Sequence, residues 1–462
     1  MTRTLGTLKE RVESIVARRG VASSLAFTFA SLGLLIPSGS QAVPSYARQT
    51  GLQCSGCHYT PPELNFAGRR FKLTGYVDRK EPGLTGEPSE RHAGLDMLAS
   101  LPLSAWFETS FTTTNSSQPG TENGSFEFPQ DASLFLAGGW TTHVGSFLQV
   151  TYTTHDDHFS IDNTDIRIAN KTTAGGKELV YGLTLNNNPT VEDLWNTTPA
   201  WGFPFMASDV APTPAAAPII QGGLAQDVAG LGGYAMWNDH LYVGATIYRS
   251  FHVGGAQPNP GTDFAFNIRG VAPYWRVAWQ ESWESTQFEV GSYGMYMKST
   301  PGAVTGLEDK YTDWAFDTQL DQTLFRTDIL SFRGTYIHES SELEATFAAG
   351  AAQQTSHHLD AVNINAEYHF GNRYSATLGW FNTSGTTDPL LFPQSPISGS
   401  ANGSPRSSGL IANLSWWPTQ NLQFAAQYIA YSHFNGGSSN YDGAGRNAHD
   451  NNTTYLLGRF IF

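Results

Sequence analysis

The chain has 462 residues, of which only 14% are charged and 13% are aromatic, and its formal net charge is −14. Residues 104–462 carry 32 acidic and 14 basic side chains, whereas residues 43–103 carry six and seven and are nearly neutral. This acidic balance excludes a nucleic-acid partner, because phosphate binding requires basic patches, and so low a charged fraction is unusual for a soluble domain, where about 25% is typical.

The first 42 residues are predicted to form a secretory signal peptide. An apolar run covers residues 21–36, and Ser40-Gln41-Ala42 supplies small residues at the cleavage site. A membrane-spanning helix is the alternative, but the run is short for a span and contains four hydroxyl residues. The run follows a basic start: Arg3, Lys9, Arg11, Arg18 and Arg19. The sequence therefore predicts export into a bacterial cell envelope.

Residues 54–58 read Cys-Ser-Gly-Cys-His and contain the only two cysteines of the chain. Two thiols separated by two residues, followed directly by an imidazole, form the pattern of covalent c-type haem attachment. The thiols would reach the two vinyl groups of one porphyrin, and His58 would be the proximal iron ligand. The alternatives are a structural disulfide, a zinc half-site, which lacks a second ligand pair, and a thioredoxin-like pair, which lacks a βαβ pattern. The motif predicts one covalently bound haem on Cys54 and Cys57.

A small, mainly helical haem domain is expected over residues 43–103. Pro61 and Pro62 predict the start of a helix that Gly75 ends. Its apolar residues recur at helical spacing: Leu64, Ala67 and Phe71. Three basic residues lie on or near its polar side: Arg69, Arg70 and Lys72. We expect these cations to contact haem propionates, the acidic barrel wall or solvent.

A second helix, predicted over residues 89–101, supplies candidates for the distal iron ligand. Met97 is the first choice, because three leucines form an apolar patch around it and a thioether is a common axial ligand. Packing in a hydrophobic core is the alternative role for Met97. His92 is the second candidate and Met206 the third. The predicted haem-iron ligands are therefore His58 and Met97.

From residue 104 to residue 462, short runs of alternating polar and apolar residues recur. This period-two pattern is typical of strands with two different faces. The runs predict about 16 antiparallel strands, with an error of two. The 17 runs are 106–114, 133–141, 147–154, 161–169, 179–186, 234–237, 241–248, 275–279, 288–297, 311–320, 332–338, 343–348, 362–370, 374–381, 410–416, 424–431 and 455–462. Short turns are expected at Asn238-Asp239, Gly371-Asn372 and 418–421.

The predicted fold of residues 104–462 is an all-β, porin-like transmembrane barrel that follows the haem domain. Leu456, Phe460 and Phe462 share one face, which is the usual pattern of a closing strand, and a closed barrel satisfies every backbone group internally. A soluble β-sandwich or propeller is the alternative, and no blade-like repeat supports a propeller. The long irregular stretch 187–226 is expected to fold into the pore or over the haem, or to form an ordinary outer loop.

Two blocks near the motif resemble the fused monohaem cytochrome–porin family. They are residues 47–58, ARQTGLQCSGCH, and residues 62–76, PELNFAGRRFKLTGY. In that family a small c-type haem domain plugs an outer-membrane barrel, and its best-known members are ferrous-iron oxidases of iron-oxidising bacteria. The resemblance implies thioether bonds from Cys54 and Cys57 and a proximal ligand role for His58. It does not transfer a distal ligand.

The resemblance implies a function in outer-membrane electron transfer. Single electrons would pass from an extracellular donor, such as Fe(II), to a periplasmic c-type cytochrome or another electron carrier, and an acidic barrel would attract the cationic donor. One alternative is a haem-plugged porin for small solutes, and another is an outward conduit to an extracellular acceptor. A peroxidase-like enzyme is a further alternative, although the sequence identifies no distal acid–base residue for it.

Overall fold

The computed structural model describes residues 43–80, 83–155, 157–198, 202–225, 227–250, 267–301, 305–325 and 327–462. The predicted signal peptide, residues 1–42, lies outside this described part of the chain. Within the described part, no helix combines the length and the apolar character needed to cross a bilayer.

Two short helices and a small hairpin precede the barrel. In chain order the elements are α1 (Pro44–Thr50), a 3-10 turn (Cys54–Gly56), α2 (Phe66–Leu73), β1 (Leu84–Gly86) and β2 (Leu95–Met97). Strands β1 and β2 pair with each other antiparallel and form a separate two-stranded sheet. We call residues 43–80 the plug, because their side chains bond to the inner face of the barrel.

The described residues from β3 onward form a closed antiparallel barrel of 16 long strands. The additional three-residue strand β4 lies between β3 and β5, which also pair directly, and β19 pairs with β3 to close the barrel. The strands are β3 (Leu103–Thr114), β4 (Ser125–Glu127), β5 (Asp131–Gly139), β6 (Val144–Thr153), β7 (His158–Ala174), β8 (Lys177–Asn186), β9 (Val228–Trp237), β10 (Leu241–Ser250), β11 (Ala272–Ser282), β12 (Thr286–Ser299), β13 (Asp309–Leu324), β14 (Asp328–Leu343), β15 (Ser356–Phe370), β16 (Tyr374–Gly385), β17 (Ser407–Thr419), β18 (Leu422–His433) and β19 (Thr453–Ile461).

The predicted all-β barrel of about 16 antiparallel strands is confirmed. One predicted run is wrong, because Glu344–Ala348 form the short helix α3 after β14. Asp309 Oδ1 accepts hydrogen bonds from the amides of Ala345 and Thr346 at 2.8 and 3.1 Å, which satisfies the first amides of this helix. An acceptor 36 residues away in sequence leaves no trace in the local alternation pattern.

Side chains alternate between the lumen and the outer surface along the strands. Exposed apolar residues face outward, for example Leu183, Ile247, Phe316, Phe332, Leu378 and Leu414. Buried polar residues face the lumen, for example Glu108, Asp165, Arg167, Arg276, Asp317 and Arg333. An apolar outer belt around a polar lumen is the arrangement that lipid requires of a transmembrane barrel. The outer belt is therefore the surface that contacts outer-membrane lipid.

The two ends of the barrel differ in the length of their connections. At the end that we call the turn end, short turns join the strands: 175–176, 238–240, 371–373 and 420–421. Asn238 and Asp239 have positive φ angles of 54° and 56°, as a tight hairpin turn with the correct twist requires. At the opposite loop end the connections are longer, such as 386–406 and 434–452. Short turns face the periplasm in outer-membrane barrels, so we assign the turn end to the periplasmic side.

The lumen holds two inserted segments. The plug bonds to wall residues near the turn end, and the connection between β8 and β9 folds in from the loop end. We call the described part of that connection, 187–198 and 202–225, the inward loop. Lys72 Nζ of the plug donates hydrogen bonds of 2.7 Å to the carbonyl oxygens of Val191 and Asp193, so the two segments meet. The prediction that this stretch folds into the pore is therefore confirmed.

Candidate haem site

A tight turn gathers the motif residues. The amides of Cys57 and His58 both donate to the Cys54 carbonyl oxygen, at 3.0 and 2.9 Å, which closes the 3-10 turn. The two thiols are not joined in a disulfide. Cys54 is buried, whereas Cys57 and His58 are partly exposed to a cavity in the lumen. The turn therefore presents two thiols and one imidazole to the same space.

Helix α2 packs directly against the motif turn. Asn65 caps the helix, because its Oδ1 accepts the Gly68 amide at 3.0 Å, and its Nδ2 reaches the Ser55 carbonyl at 3.3 Å. The Asn65 amide donates to the Cys57 carbonyl at 2.9 Å. A Cβ atom on Gly68 would lie only 2.2 Å from that same carbonyl oxygen, so only glycine allows this approach. The helix begins at Phe66, four residues after the predicted proline start, because Asn65 supplies the cap.

Acidic side chains of the barrel wall hold the plug. Arg69 lies 3.4 Å from Asp321, and Arg70 lies 2.7 Å from Asp239 and also contacts Glu178. Of the three roles considered for these two arginines, contact with the acidic wall is confirmed. Charge complementarity thus fixes the orientation of α2, and hence of the motif turn that packs on it.

Two further contacts fix the depth of the plug at the turn end. The Cys54 amide donates to Gln420 Oε1 at 2.7 Å, in the turn between β17 and β18. The Tyr76 hydroxyl donates to Asp165 Oδ2 of β7 at 2.6 Å. The motif is consequently held near the periplasmic side of the barrel.

The motif residues line a cavity of about 340 Å³ that also contacts the barrel wall and the inward loop. This volume falls in the range of about 300–1,000 Å³ that is common for bound small molecules and cofactors. Seven aromatic side chains line it: Tyr46, Phe71, Tyr76, Trp106, Phe135, Phe147 and Phe205. An apolar, aromatic space beside two thiols and an imidazole is suited to a porphyrin ring.

The protonation of His58 suits a metal ligand. Burial lowers the pKa of the imidazole to about 4, although the backbone of Pro62 and Glu63 and the charge of Glu63 act in the opposite direction. The ring is therefore neutral near pH 7, and a neutral imidazole is the form that binds a metal. Burial also raises the pKa of the Cys57 thiol.

One buried donor of the cavity lining, Trp106 Nε1, has no hydrogen-bond partner among the described residues. Buried donors without partners are rare in folded proteins, and a ligand with acceptor groups can satisfy this one. The thiol spacing, the neutral imidazole, the aromatic lining and this donor together fit one c-type haem. Cys54 and Cys57 would hold it covalently and His58 would bind its iron.

The three candidate distal ligands lie away from the cavity lining. The helix predicted over residues 89–101 is wrong, because β2 in this segment pairs with β1, and Met97 faces Leu84 in that register with 45% of its surface exposed. His92 is exposed beside Ser89. Met206 is buried, but in a separate cluster on the inner face of β18 and β19. The assignment of Met97 as distal ligand stays a prediction that no contact in this conformation supports.

Sequence reasoning did not identify the wall residues that complete the cavity. Trp106 and Arg459 line it from β3 and β19, and the Arg459 guanidinium lies 4.7 Å from the Trp106 ring centroid. Asn196 and Phe205 line it from the inward loop. The period-two pattern indicates which strand residues face inward, but only the closed barrel shows which of them meet the plug.

In comparisons with known proteins, this chain is similar to solved structures of outer-membrane barrels. No protein-family model and no curated protein matches the chain. OmpT, an outer membrane protein of Vibrio cholerae, is 10% identical over 78% of this chain and 96% of its own, with a TM-score of 0.41. The outer membrane channel DcaP of Acinetobacter baumannii is 11% identical over 82% of this chain and 100% of its own, with a TM-score of 0.45.

An anion-selective porin from Comamonas acidovorans is similar to the same degree. It is 13% identical over 79% of this chain and 99% of its own, with a TM-score of 0.45. At such identities, these similarities concern the fold alone.

Proposed function

We propose that the protein is an outer-membrane c-type cytochrome–porin that passes single electrons between an extracellular donor, such as Fe(II), and a periplasmic c-type cytochrome or other electron carrier. The observation that carries this proposal is the position of Cys54, Cys57 and His58 together on one aromatic cavity inside the barrel lumen. A c-type haem, when bound there, supplies reversible one-electron chemistry. The donor loses one electron, Fe(II) becoming Fe(III), and the periplasmic carrier gains it.

The position of the cavity supports a periplasmic exit for the electron. The motif turn contacts Gln420 at the turn end, so a periplasmic partner has a short approach to the site. The loop end lies on the far side of a hydrocarbon core that is about 25–30 Å thick. One cavity near the turn end therefore needs a relay toward the loop end.

A row of buried rings and arginines starts at the cavity. Tyr46 and Tyr76 line the cavity and stack with their centroids 5.5 Å apart. The Arg167 guanidinium lies 5.9 Å from the Tyr76 centroid and 4.9 Å from that of Tyr234. Tyr242 follows, 6.3 Å from Tyr234. These groups link the plug to the barrel wall.

The same row continues toward the loop end. The Trp195 centroid is 5.6 Å from that of Tyr242, and Arg276 lies 5.2 Å from the Trp195 centroid and 5.4 Å from that of Tyr293. From Tyr293 the row reaches two further rings at centroid separations of 6.4 Å: Tyr274 and Tyr248. Tyr274 is the third residue of β11 and Tyr248 is two residues from the end of β10, so both lie near the loop end. We call these eight rings and two arginines the aromatic row.

The aromatic row supports electron transfer across the lumen. Electron tunnelling weakens steeply with distance, so closely spaced conjugated rings are better intermediates than aliphatic side chains or water. The row runs between the plug and the part of the barrel nearest an extracellular donor. It is the relay that a single site near the periplasmic end requires.

The direct test uses the purified protein with its haem attached, reconstituted in vesicles without oxygen. Fe(II) is added at acid and at neutral pH while the haem absorption is recorded. The proposal predicts conversion to the ferrous spectrum, followed by reoxidation when an oxidised periplasmic-type cytochrome c is added. An unchanged spectrum at both pH values would remove Fe(II) as the donor, and failure of every tested donor and acceptor would remove the electron-transfer function.

Solute transport is the second candidate function, and the porin-like barrel itself is the observation in its favour. The plug and the inward loop occupy the lumen and bond to each other through Lys72, which narrows the space left for solutes. Liposome swelling with small sugars separates the two functions. Swelling comparable to that of an open porin would favour transport, and swelling at the rate of empty liposomes would favour a closed electron conduit.

A further inference from the structure

A second group of potential metal-ligating residues lies between the plug and the barrel wall. It consists of Glu63, Glu367 and His369. Glu367 and His369 occupy alternate positions of β15, so both side chains point into the lumen, where they meet Glu63 of the plug. His369 Nε2 lies 3.1 Å from Glu63 Oε2, and His369 Nδ1 lies 3.9 Å from Glu367 Oε1. One ligand atom from each residue lies within 4.8 Å of the other two.

These side chains are buried and incompletely satisfied. The exposed fractions of Glu63, Glu367 and His369 are 1%, 3% and 0%. Both ring nitrogens of His369, Oε2 of Glu63 and Oε2 of Glu367 have no hydrogen-bond partner among the described residues. These nitrogen and oxygen atoms lie about 3–4 Å from one another without hydrogen-bond geometry. A ligand placed between them would satisfy them.

Arg333 contacts both glutamates. Its Nη1 lies 3.1 Å from Glu63 Oε1 and 3.5 Å from Glu367 Oε2, and its Nη2 lies 4.0 Å from Asp321. Asp321 also pairs with Arg69. Three carboxyl groups therefore face two guanidinium groups in this part of the lumen.

We propose that Glu63, Glu367 and His369 bind one divalent first-row transition-metal ion between the plug and β15. One imidazole nitrogen and two carboxylate oxygens form a donor set that suits Fe(II), Mn(II) or Zn(II), whereas Ca²⁺ requires six to eight oxygen ligands. Three protein ligands leave coordination positions open for water. Arg333 then serves to orient the two carboxylates rather than to neutralise them both.

Arg333 also borders a polar cavity of about 200 Å³, which it lines together with Asn363 and Asn365, two residues of the strand that carries Glu367. Glu63, Glu367 and His369 do not line this cavity, and Arg333 is the residue that joins it to the two glutamates.

The competing explanation is a proton in place of the metal ion. The proton would lie on His369, with one ring nitrogen toward each glutamate, or between the carboxyl groups of Glu63 and Glu367. An experiment can distinguish a metal ion from a proton. At constant pH, chelators and added cations change the occupancy of a metal site but do not change the protonation of these residues.

The test uses the full mature chain, purified without an affinity tag, treated with EDTA and dialysed. Mn(II) and Zn(II) are titrated by calorimetry at pH 7, Fe(II) is titrated without oxygen, and bound metal is counted by elemental analysis. We expect one equivalent in the unaltered chain and at least about tenfold weaker binding in E63Q and H369Q. H358Q is the matched control, because His358 lies on the same strand but is exposed and bonds to Thr386.

E63Q lies in the plug, so the barrel wall is unaltered and its folding can be checked by heat-modifiable mobility on gels. The proposal would be overturned if the unaltered chain bound far less than one equivalent of metal. It would also be overturned if E63Q, H369Q and H358Q bound the metal with equal affinity. Metal analysis does not depend on electron transfer. Its failure would therefore leave the proposed function standing, and the failure of Fe(II) to reduce the haem would leave this site standing.

Discussion

Gly68 is the residue at which the plug is most sensitive to an added atom. A Cβ there would lie 2.2 Å from the Cys57 carbonyl oxygen and 3.0 Å from Leu64 Cδ2. Alanine favours helices over glycine by about 1 kcal/mol, but relieving this overlap requires the helix to move away from the motif turn, at about 1–3 kcal/mol. We expect G68A to lower the fraction of protein that carries covalent haem, as measured by haem staining against total protein.

The matched control for Gly68 is Gly56, which lies inside the motif itself. A Cβ on Gly56 would meet only the flexible Leu52 side chain, at 3.2 Å and beyond. G56A should therefore keep its haem content close to that of the unaltered chain. Equal haem content in G68A and G56A would show that the contact between α2 and Cys57 is unimportant for assembly.

His58 is predicted to make the haem-free plug sensitive to acid. Burial lowers the pKa of His58 from 6.5 to about 4. Between these two pH values, His58 therefore binds a proton in the unfolded plug but not in the folded plug. Its stability is fully present above pH 6.5 and falls by about 3 kcal/mol as the pH drops to about 4.

This pH dependence can be measured in C54A/C57A, where no haem is attached to the site. Hydrogen exchange of the α2 amides, corrected for the intrinsic effect of pH, reports the opening of the plug. Adding H58Q to this variant should remove most of the loss between pH 6.5 and 4. A loss of the same size with and without His58 would contradict the assigned protonation state.

At the scale of elements, the strands were predictable from sequence and the small hairpin was not. Each transmembrane strand must place one face in lipid and the other in a polar lumen, so its alternation is strong and local. The segment from 89 to 101 has leucines at helical spacing, yet Leu95 and Met97 are exposed in β2 and no buried face selects the helix. Periodicity predicts structure only where burial enforces it.

The residues of the candidate site also differ in how far the sequence alone predicts them. The residues Cys54, Cys57 and His58 are adjacent in sequence, so their shared chemistry is visible before any fold is known. Trp106 and Arg459 lie on β3 and β19, and only closure of the barrel brings them to the motif. The distal ligand belongs to this second class, because it depends on a tertiary contact that spacing does not encode.

Trp195 of the inward loop allows the role of the aromatic row to be tested. Trp195 is 1% exposed and joins Tyr242 to Arg276 in that row. W195L removes the ring at this link and should slow haem reduction by Fe(II) about tenfold, which corresponds to about 1.4 kcal/mol in the barrier. Stopped-flow absorption in vesicles measures the rate, with haem content confirmed beforehand.

Two variants control for changes in packing. W195F retains a ring at the same position and should reduce at a rate close to that of the unaltered chain. W283L alters a residue that is 59% exposed and stands outside the aromatic row, and it should also have no effect. If W195L reduces as fast as these controls, the electron does not pass through the aromatic row.

At the scale of the whole molecule, charge is distributed to favour cations. Residues 104–462 hold 32 acidic and 14 basic side chains. Part of this charge holds the plug through Arg69 and Arg70, and the remainder creates a negative field around the barrel. A cationic donor is drawn to such a field, and an anionic one is repelled.

The rate of reduction by Fe(II) should therefore fall as salt is added. Raising the ionic strength from about 0.1 M to about 1 M shortens the screening length from about 10 Å to about 3 Å. We expect the second-order rate constant to drop by about tenfold or more. The anionic reductant dithionite is the comparison, and its rate should not fall. A rate for Fe(II) that is independent of salt would rule out electrostatic attraction as part of the mechanism.

The proposed function depends on the covalent attachment of one haem inside the barrel. It is tested by mass spectrometry of the mature chain from the outer-membrane fraction of cells that carry out c-type haem maturation. We expect a polypeptide heavier by one haem, with the added mass on the peptide that contains Cys54 and Cys57, and no added mass in C54A/C57A. A folded barrel in that fraction with the unmodified mass would contradict it.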